Sequence, residues 1–276
     1  MLYISEAIQS ASSSVDIAVF AFYNIEEIYG MKKRFSLLFV LLWGAALFSQ
    51  SVKDLNLDDF RLTAKATAPL VTKLRATSCA LNNTEVELYV LGWSKNARLA
   101  FFENRFIDGR GGFDLIFTIL DLIEDKTICY KNFSAYDEKG LSLKECLAKN
   151  ACFIDRELKK YGIVIAAPVF CELPAYSTTD NEPVNFSVTV KDDTIGEYGL
   201  RQMSYDIVAV KNKKQKTVAQ VSDEICDAAM PTGYLKSPYE NRIALLLAYS
   251  QYVFEGSEIF LRFYGCHLDG GFSSPQ

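Results

Sequence analysis

Two stretches of this chain repeat one pattern, and that repetition limits the possible folds more than any other feature of the sequence. Arg98-Leu99-Ala100-Phe101-Phe102 is matched by Arg242-Ile243-Ala244-Leu245-Leu246, and Gly112-Phe113-Asp114-Leu115-Ile116-Phe117 by Gly256-Ser257-Glu258-Ile259-Phe260-Leu261. The interval from arginine to glycine is the same in both copies, 98 to 112 and 242 to 256. In the first copy two apolar runs, 99–102 and 115–120, flank a charged loop rich in glycine, which is the signature of a β-hairpin. A third acid-led run, Tyr205-Asp206-Ile207-Val208, repeats the opening of Phe113-Asp114-Leu115-Ile116. A hairpin with one apolar face cannot bury that face alone, so such units stack. The expected fold is mainly β: antiparallel hairpin repeats, propeller-like or as stacked sheets.

One amphipathic α-helix is expected at about 142–160. Ser142-Leu143-Lys144-Glu145 fits a capping box, and Leu143, Leu147, Ile154 and Leu158 recur at helical spacing. Lys159-Lys160 suit its C-terminal end and Gly162 its stop. Between 52 and 90 the pattern reads as short strands, with Asn82-Asn83 as a turn. The apolar run 163–170 suits a buried strand, the alternation at 185–190 another, and Lys211 to Lys216 a solvated hairpin tip. The Gly/Ser-rich tail from Leu268 reads as frayed.

The N-terminal region carries a secretory signal pattern at 31–51. Met31-Lys32-Lys33-Arg34 is a basic opening, 35–48 is uncharged and apolar, and Ser49-Gln50-Ser51 supplies small residues for cleavage before Val52. The apolar run falls short of the roughly 20 residues that span a bilayer, so no stable membrane span is expected after cleavage. Residues 1–30 read as an over-extended or unstructured start, and 52–276 as a single β-rich domain. Secretion or a periplasmic location follows. The net charge of −5 argues against a nucleic-acid partner, since phosphate binding needs clustered Lys and Arg. Seven cysteines follow the signal with no Cys-x-x-Cys pair; bridging and burial as small hydrophobes both remain open.

Two resemblances attach to these residues. Gly92-Trp93-Ser94-Lys95-Asn96-Ala97-Arg98-Leu99-Ala100-Phe101 is similar to the opening of a blade in TolB-type β-propellers, with Lys95-Asn96-Ala97 where that pattern has Pro-Asp-Gly. The signal, the residues Gly92, Trp93, Ser94, Arg98, Ala100 and Phe101, and the loop Asp108, Gly109, Gly111 resemble the predicted secreted bacterial family called domain of unknown function 2259. That family has no established activity, so the resemblance implies export and a β-rich fold but no mechanism.

Candidate chemistry concentrates around the first hairpin. Glu103, Asp108 and Asp114 surround Gly109, Gly111 and Gly112. A flexible backbone with hard oxygen donors suits calcium, and paired carboxylates suit glycosidase-type acid/base work. The plain alternative is a hairpin loop with solvated acids. Trp93 and the neighbouring aromatics either pack in a core or present rings to a carbohydrate or protein partner. His267 is the only histidine and no Gly-x-Ser-x-Gly elbow occurs, so a histidine-based triad is disfavoured. The leading expectation is an exported, non-enzymatic binding or scaffolding protein of unknown ligand. A carboxylate-dependent hydrolase using the acids of 103–114 and a calcium-stabilised module are the alternatives.

Overall fold

A computed structural model of the chain describes residues 51–62, 66–76, 81–83, 87–106, 112–196, 199–253 and 256–274. Residues 1–30, read as an over-extended or unstructured start, and residues 31–50 of the expected signal lie outside the described residues. The described part is mainly β, with antiparallel sheets and two α-helices.

Three sheets stack in series. The first joins β1 (Arg61–Leu62), β3 (Glu87–Trp93), β4 (Arg98–Phe106), β5 (Phe113–Asp121) and β6 (Lys126–Phe133) in that order, and β7 (Val164–Ile165) also pairs with β3. The middle sheet runs β2 (Leu81–Asn83), β15 (Gly256–His267), β14 (Arg242–Val253), β13 (Ala228–Lys236), β8 (Phe170–Cys171). The outer sheet runs β12 (Lys214–Ile225), β11 (Arg201–Lys211), β10 (Pro183–Ile195), β9 (Ala175–Tyr176). Helix α1 (Ala68–Ala76) covers part of the middle sheet with Leu70 and Leu74 against Ala248 and Ile259. Helix α2 (Leu143–Lys160) covers the free face of the first sheet.

The layering follows from the strand sequences. Ile243-Ala244-Leu245-Leu246-Leu247-Ala248 is apolar at every position, as a strand covered on both faces must be, and all six residues are fully buried. Ala244 and Leu246 pack against Val90, Leu99 and Leu122 of the first sheet. Ile243, Leu245 and Leu247 turn the other way, onto Met203, Tyr205 and Ile207 of the outer sheet. The first sheet is two-sided as well: Leu99 meets the middle sheet, while Ala100 and Phe102 meet Leu147, Ala151 and Ile154 of α2. The capping box is formed, with Ser142 and Glu145 exchanging side-chain to backbone bonds.

Both matched stretches are antiparallel hairpins, β4–β5 and β14–β15. They lie in different sheets, packed face to face. Their registers differ by two residues: Arg98 faces Asp121, whereas Arg242 faces His267 and not the matching Gly265. An even offset keeps every side chain on its face, so the sequence match survives it.

Close backbone approach needs glycine at two places. At Gly92, where β3 bulges and φ is +151°, an added Cβ would lie 2.0 Å from the Val164 carbonyl oxygen of β7. At Gly265 it would lie 1.7 Å from the Leu122 carbonyl oxygen, where the β5–β6 turn meets β15. Ser94 sets the β3–β4 turn, its hydroxyl accepting from the backbone N–H groups of Asn96 and Arg98 at 3.2 and 3.1 Å.

Several expectations are corrected. Of the two arrangements expected, the structure has the stacked sheets and not the propeller-like one. The segment read as strands contains α1, whose burial on the middle sheet prevails over weak helical patterning. Asn82-Asn83 is not a turn but the end of β2, parallel to β15. The run at 163–170 yields only the two-residue strand β7 and the first residue of β8; Val169 is 73% exposed. The tail is not frayed up to Ser273. Leu268 is buried, Asp269 accepts from Ser177, Asn241 and, at 2.8 Å, Thr179 Oγ1, and Ser273 exchanges backbone hydrogen bonds with Gln215. The basic stretch is the expected hairpin tip, exposed at Asn212, Lys213, Lys214 and Gln215, but the lysines at its ends are engaged: Lys211 pairs with Asp180 at 2.9 Å, and Lys216 donates to the His267 and Gly270 carbonyls. The six described cysteines are unbridged, and Cys79 lies outside the described residues.

Replacing Leu246 by Ala leaves a cavity between two sheets that cannot both collapse into it. The expected loss is about 2–5 kcal/mol by denaturant unfolding. Ile123→Ala, at a side chain 62% exposed, is expected to change stability by less than about 0.5 kcal/mol.

Candidate functional site

The residues singled out in the sequence do not converge. Trp93 ends β3 and is 6% exposed, packed with Leu99, Leu120 and Leu246 between the first two sheets. Asp114 opens β5 and accepts hydrogen bonds from the Ala135 backbone N–H at 2.5 Å and from Asn132 Nδ2 at 3.0 Å, tying the β6 end to its neighbour. Glu103 is buried on β4 and takes Arg105 Nε and Nη2 at 3.0 and 2.8 Å. Asp108 lies outside the described residues. His267 ends β15, with its Nδ1 accepting from the Asp269 backbone N–H at 3.3 Å. Among the described residues no three His, Cys, Asp or Glu side chains group as metal ligands.

Glu103 does lead to a site that the sequence reading missed. Arg105, held by Glu103, places its guanidinium carbon 5.2 Å from the Phe260 ring centre. Phe260 stacks on Tyr249 at 5.4 Å with 26° between the planes, and the Arg262 guanidinium carbon lies 5.2 Å from the Tyr249 ring centre. Arg262 then grips Glu224 through Nη1 and Nη2, at 2.9 and 3.3 Å. The result is a ladder, Glu103–Arg105–Phe260–Tyr249–Arg262–Glu224, that crosses all three sheets. Both rings thus have a guanidinium within cation–π range as well as each other, a favourable geometry. Tyr264 adds a hydroxyl 3.4 Å from Arg262 Nη1. Tyr205, 1% exposed, lies on the same inward face of the outer sheet and leaves its hydroxyl without a partner.

Electrostatics lock these groups. Burial opposes the charge on Arg105 and Arg262, but Glu103 and Glu224 more than offset it, so both guanidiniums are held protonated more firmly than usual. Burial raises the phenols of Tyr205, Tyr249 and Tyr264, which therefore remain O–H donors at neutral pH. The ladder can position, brace and donate hydrogen bonds. It offers no group poised to exchange a proton near pH 7.

The seam between β12 and β15 is bridged at one end by the Arg262–Glu224 pair and at the other by Lys216. One sequence signal pointed here. Arg262 occupies an inward position of β15, between Phe260 and Tyr264, where an apolar residue would be expected.

The exception to locked protonation is Asp125, in the turn that docks on Gly265. Its Oδ1 accepts the Gly265 backbone N–H at 2.5 Å, and Arg242 Nη1 donates to the adjoining Leu122 carbonyl at 3.0 Å. Burial pushes its carboxyl up to about 6 from an ordinary 3.8, with Asp121 adding to the shift and Gly265 and Arg242 opposing it.

No protein-family model matches this chain, and neither a curated protein nor a solved structure is matched by it. The similarity to the secreted family and to TolB-type blades therefore rests on the motif residues alone. No described helix is long and apolar enough to cross a membrane.

Two outcomes follow. Between about pH 4 and 6 the native chain keeps a proton on Asp125 that the unfolded chain releases, so its contribution is fully present at low pH and is lost as pH rises through about 6. Asp125→Asn is therefore expected to melt above the parent at pH 7.5 and to converge with it near pH 4, as read by calorimetry. In the ladder, the Arg262→Ala, Glu224→Ala cycle is expected to show coupling on the order of 1 kcal/mol, and none with Lys213→Ala at the exposed hairpin tip.

Proposed function

We propose that the protein is an exported binding or scaffolding protein, periplasmic or secreted, with no catalytic centre of its own, acting on a carbohydrate or protein partner. The observation that carries this reading is the state of the charged groups where the three sheets meet. Glu103 and Glu224, the carboxylates at the two ends of the ladder, are each committed to a guanidinium. A glycosidase needs one carboxyl kept protonated and a second positioned for attack, roughly 5 to 9.5 Å away. Here Asp114 is spent on a backbone N–H and an amide, and Asp125 stands in a separate turn between Gly265 and Arg242. What the arrangement favours is a stiff scaffold: β-layers cross-braced by ion pairs, with exposed aromatic rings at Tyr130, Tyr176, Tyr239 and Tyr252. Export is supported by the signal pattern at 31–51.

The test uses protein exported from a host cell and purified to homogeneity. It is expected to release no product above blank from a panel of aryl glycosides and aryl esters between pH 4 and 8. Turnover that disappears in Glu103→Gln or Asp114→Asn would establish the hydrolase alternative instead.

A further inference from the structure

The cleavage pattern in the sequence and the packing of α2 meet at one peptide bond. Val52 begins a short 3-10 turn, Val52–Asp54, and its side chain is 1% exposed, in the core shared by α2 and the first sheet with Leu55, Phe60, Leu147 and Ile154. Its backbone nitrogen donates to Asp155 Oδ1 at 3.0 Å. The other oxygen of the same carboxylate, Oδ2, takes the Ser51 hydroxyl at 2.6 Å. One carboxylate on α2 thus receives two hydrogen bonds from the two residues that flank the expected scissile bond. The pairing is long-range in sequence, and both partners sit on packed elements.

We propose that hydrolysis of the Ser51–Val52 bond during export creates an N-terminal α-ammonium that Asp155 holds as a buried-edge ion pair. The inference rests on the export reading. A processing peptidase adds water across the amide: Ser51 leaves with the new carboxylate, and Val52 keeps the amine, which takes a proton at neutral pH. The amide N–H that already lies on Oδ1 becomes one of three ammonium hydrogens. Departure of Ser51 frees Oδ2 for a second. A hydrogen bond with charge on the acceptor alone is thereby exchanged for one with charge on both partners, which is shorter and stronger. No backbone movement is required, because the nitrogen is already in place and the Val52 side chain is already anchored. Processing would then do more than remove a leader: it would fasten the first mature residue to the helix that covers the first sheet.

Charge surroundings favour the pair. The charged side chains near the nitrogen are Lys53 and Asp54 on its own turn, which project to solvent, and on α2 Asp155 itself with Lys159 one helical turn on. Arg156 and Lys160 are occupied by Glu157. A free α-amino group titrates at about 7.7 to 8.0. Pairing with Asp155 raises that value in the folded chain, so the stabilisation is complete at about pH 6 to 7 and disappears as pH rises through the raised value.

The experiment uses the processed protein recovered from the exported fraction, with its first residue read by N-terminal sequencing. Melting temperatures are then taken from pH 6 to 10.5 for the parent, for Asp155→Asn, and for parent selectively acetylated at the α-amine. The expected result is Val52 as first residue, a parent advantage on the order of 3 °C at pH 7 over both other forms, and loss of that advantage by about pH 10. A chain that starts elsewhere, or is never cleaved, overturns the export boundary and the proposal with it. A chain that does start at Val52 but melts in parallel with Asp155→Asn and the acetylated form at every pH overturns the ion pair alone and leaves export standing. If Asp155→Asn fails to fold, the acetylated parent gives the same comparison without a substitution.

Discussion

The structure depends on one strand being covered on both faces. Residues 243–247 of β14 send alternate side chains into two separate cores, Ala248 packs against α1, and none of the six meets water. Because side chains alternate with a period of two, a one-residue slip would exchange the two cores wholesale. Bulky Ile243, Leu245 and Leu247 face the outer sheet; Ala244 and Leu246 face the first sheet, whose own Leu99, Leu120 and Trp93 fill the remaining space. The small residue on one face is complemented by large ones opposite, as close packing requires.

Viewed through the stack, the matched hairpins are related by direction as well as by sequence. In β4, Arg98, Ala100 and Phe102 point toward α2; in β14, the matching Arg242, Ala244 and Leu246 point toward the first sheet. Each arginine reaches into the layer beneath its own. Arg98 covers the ring of Tyr161, just past α2, at 5.4 Å, and Arg242 holds the Leu122 carbonyl at the end of β5. A repeated residue thus does a repeated job, bracing one layer on the next, and the repetition accounts for stacking where a ring of blades would have needed lateral contacts.

That logic was legible in the sequence where it depends on local pattern. The two hairpins, the acid-led strand at Tyr205, and α2 with its Ser142–Glu145 cap all follow from periodicity and turn chemistry. What could not be read depends on distant partners. α1 is a helix because Leu70 and Leu74 find Ala248 and Ile259, and the 163–170 run stays irregular because β3 accepts only two residues of it and β13 only one. The lysines at 211 and 216 look solvated until the tail, Asp180 and Asp269 are placed beside them. The candidate site suffered the same fate. Glu103 was visible as an acid near glycines, but its meaning depends on Phe260, Tyr249, Arg262 and Glu224, which lie more than a hundred residues away.

Why charged groups occupy these junctions, where apolar side chains would also fill space, follows from the shape of the seams. At Gly265 two backbones come too close for any side chain between them, and the Leu122 carbonyl and the Gly265 N–H must be satisfied in place. Arg242 and Asp125 do so from either side. At the β12–β15 seam, which no backbone ladder joins, a long side chain with a planar head links the two sheets. Arg262 rests its plane on Tyr249 and its donors on Glu224, and Arg105 does the same with Phe260 and Glu103. A guanidinium committed in both ways is poorly suited to chemistry on a substrate and well suited to holding sheet edges at a fixed distance. The same commitments that close the seams are therefore what argue for a rigid binding scaffold over an enzyme.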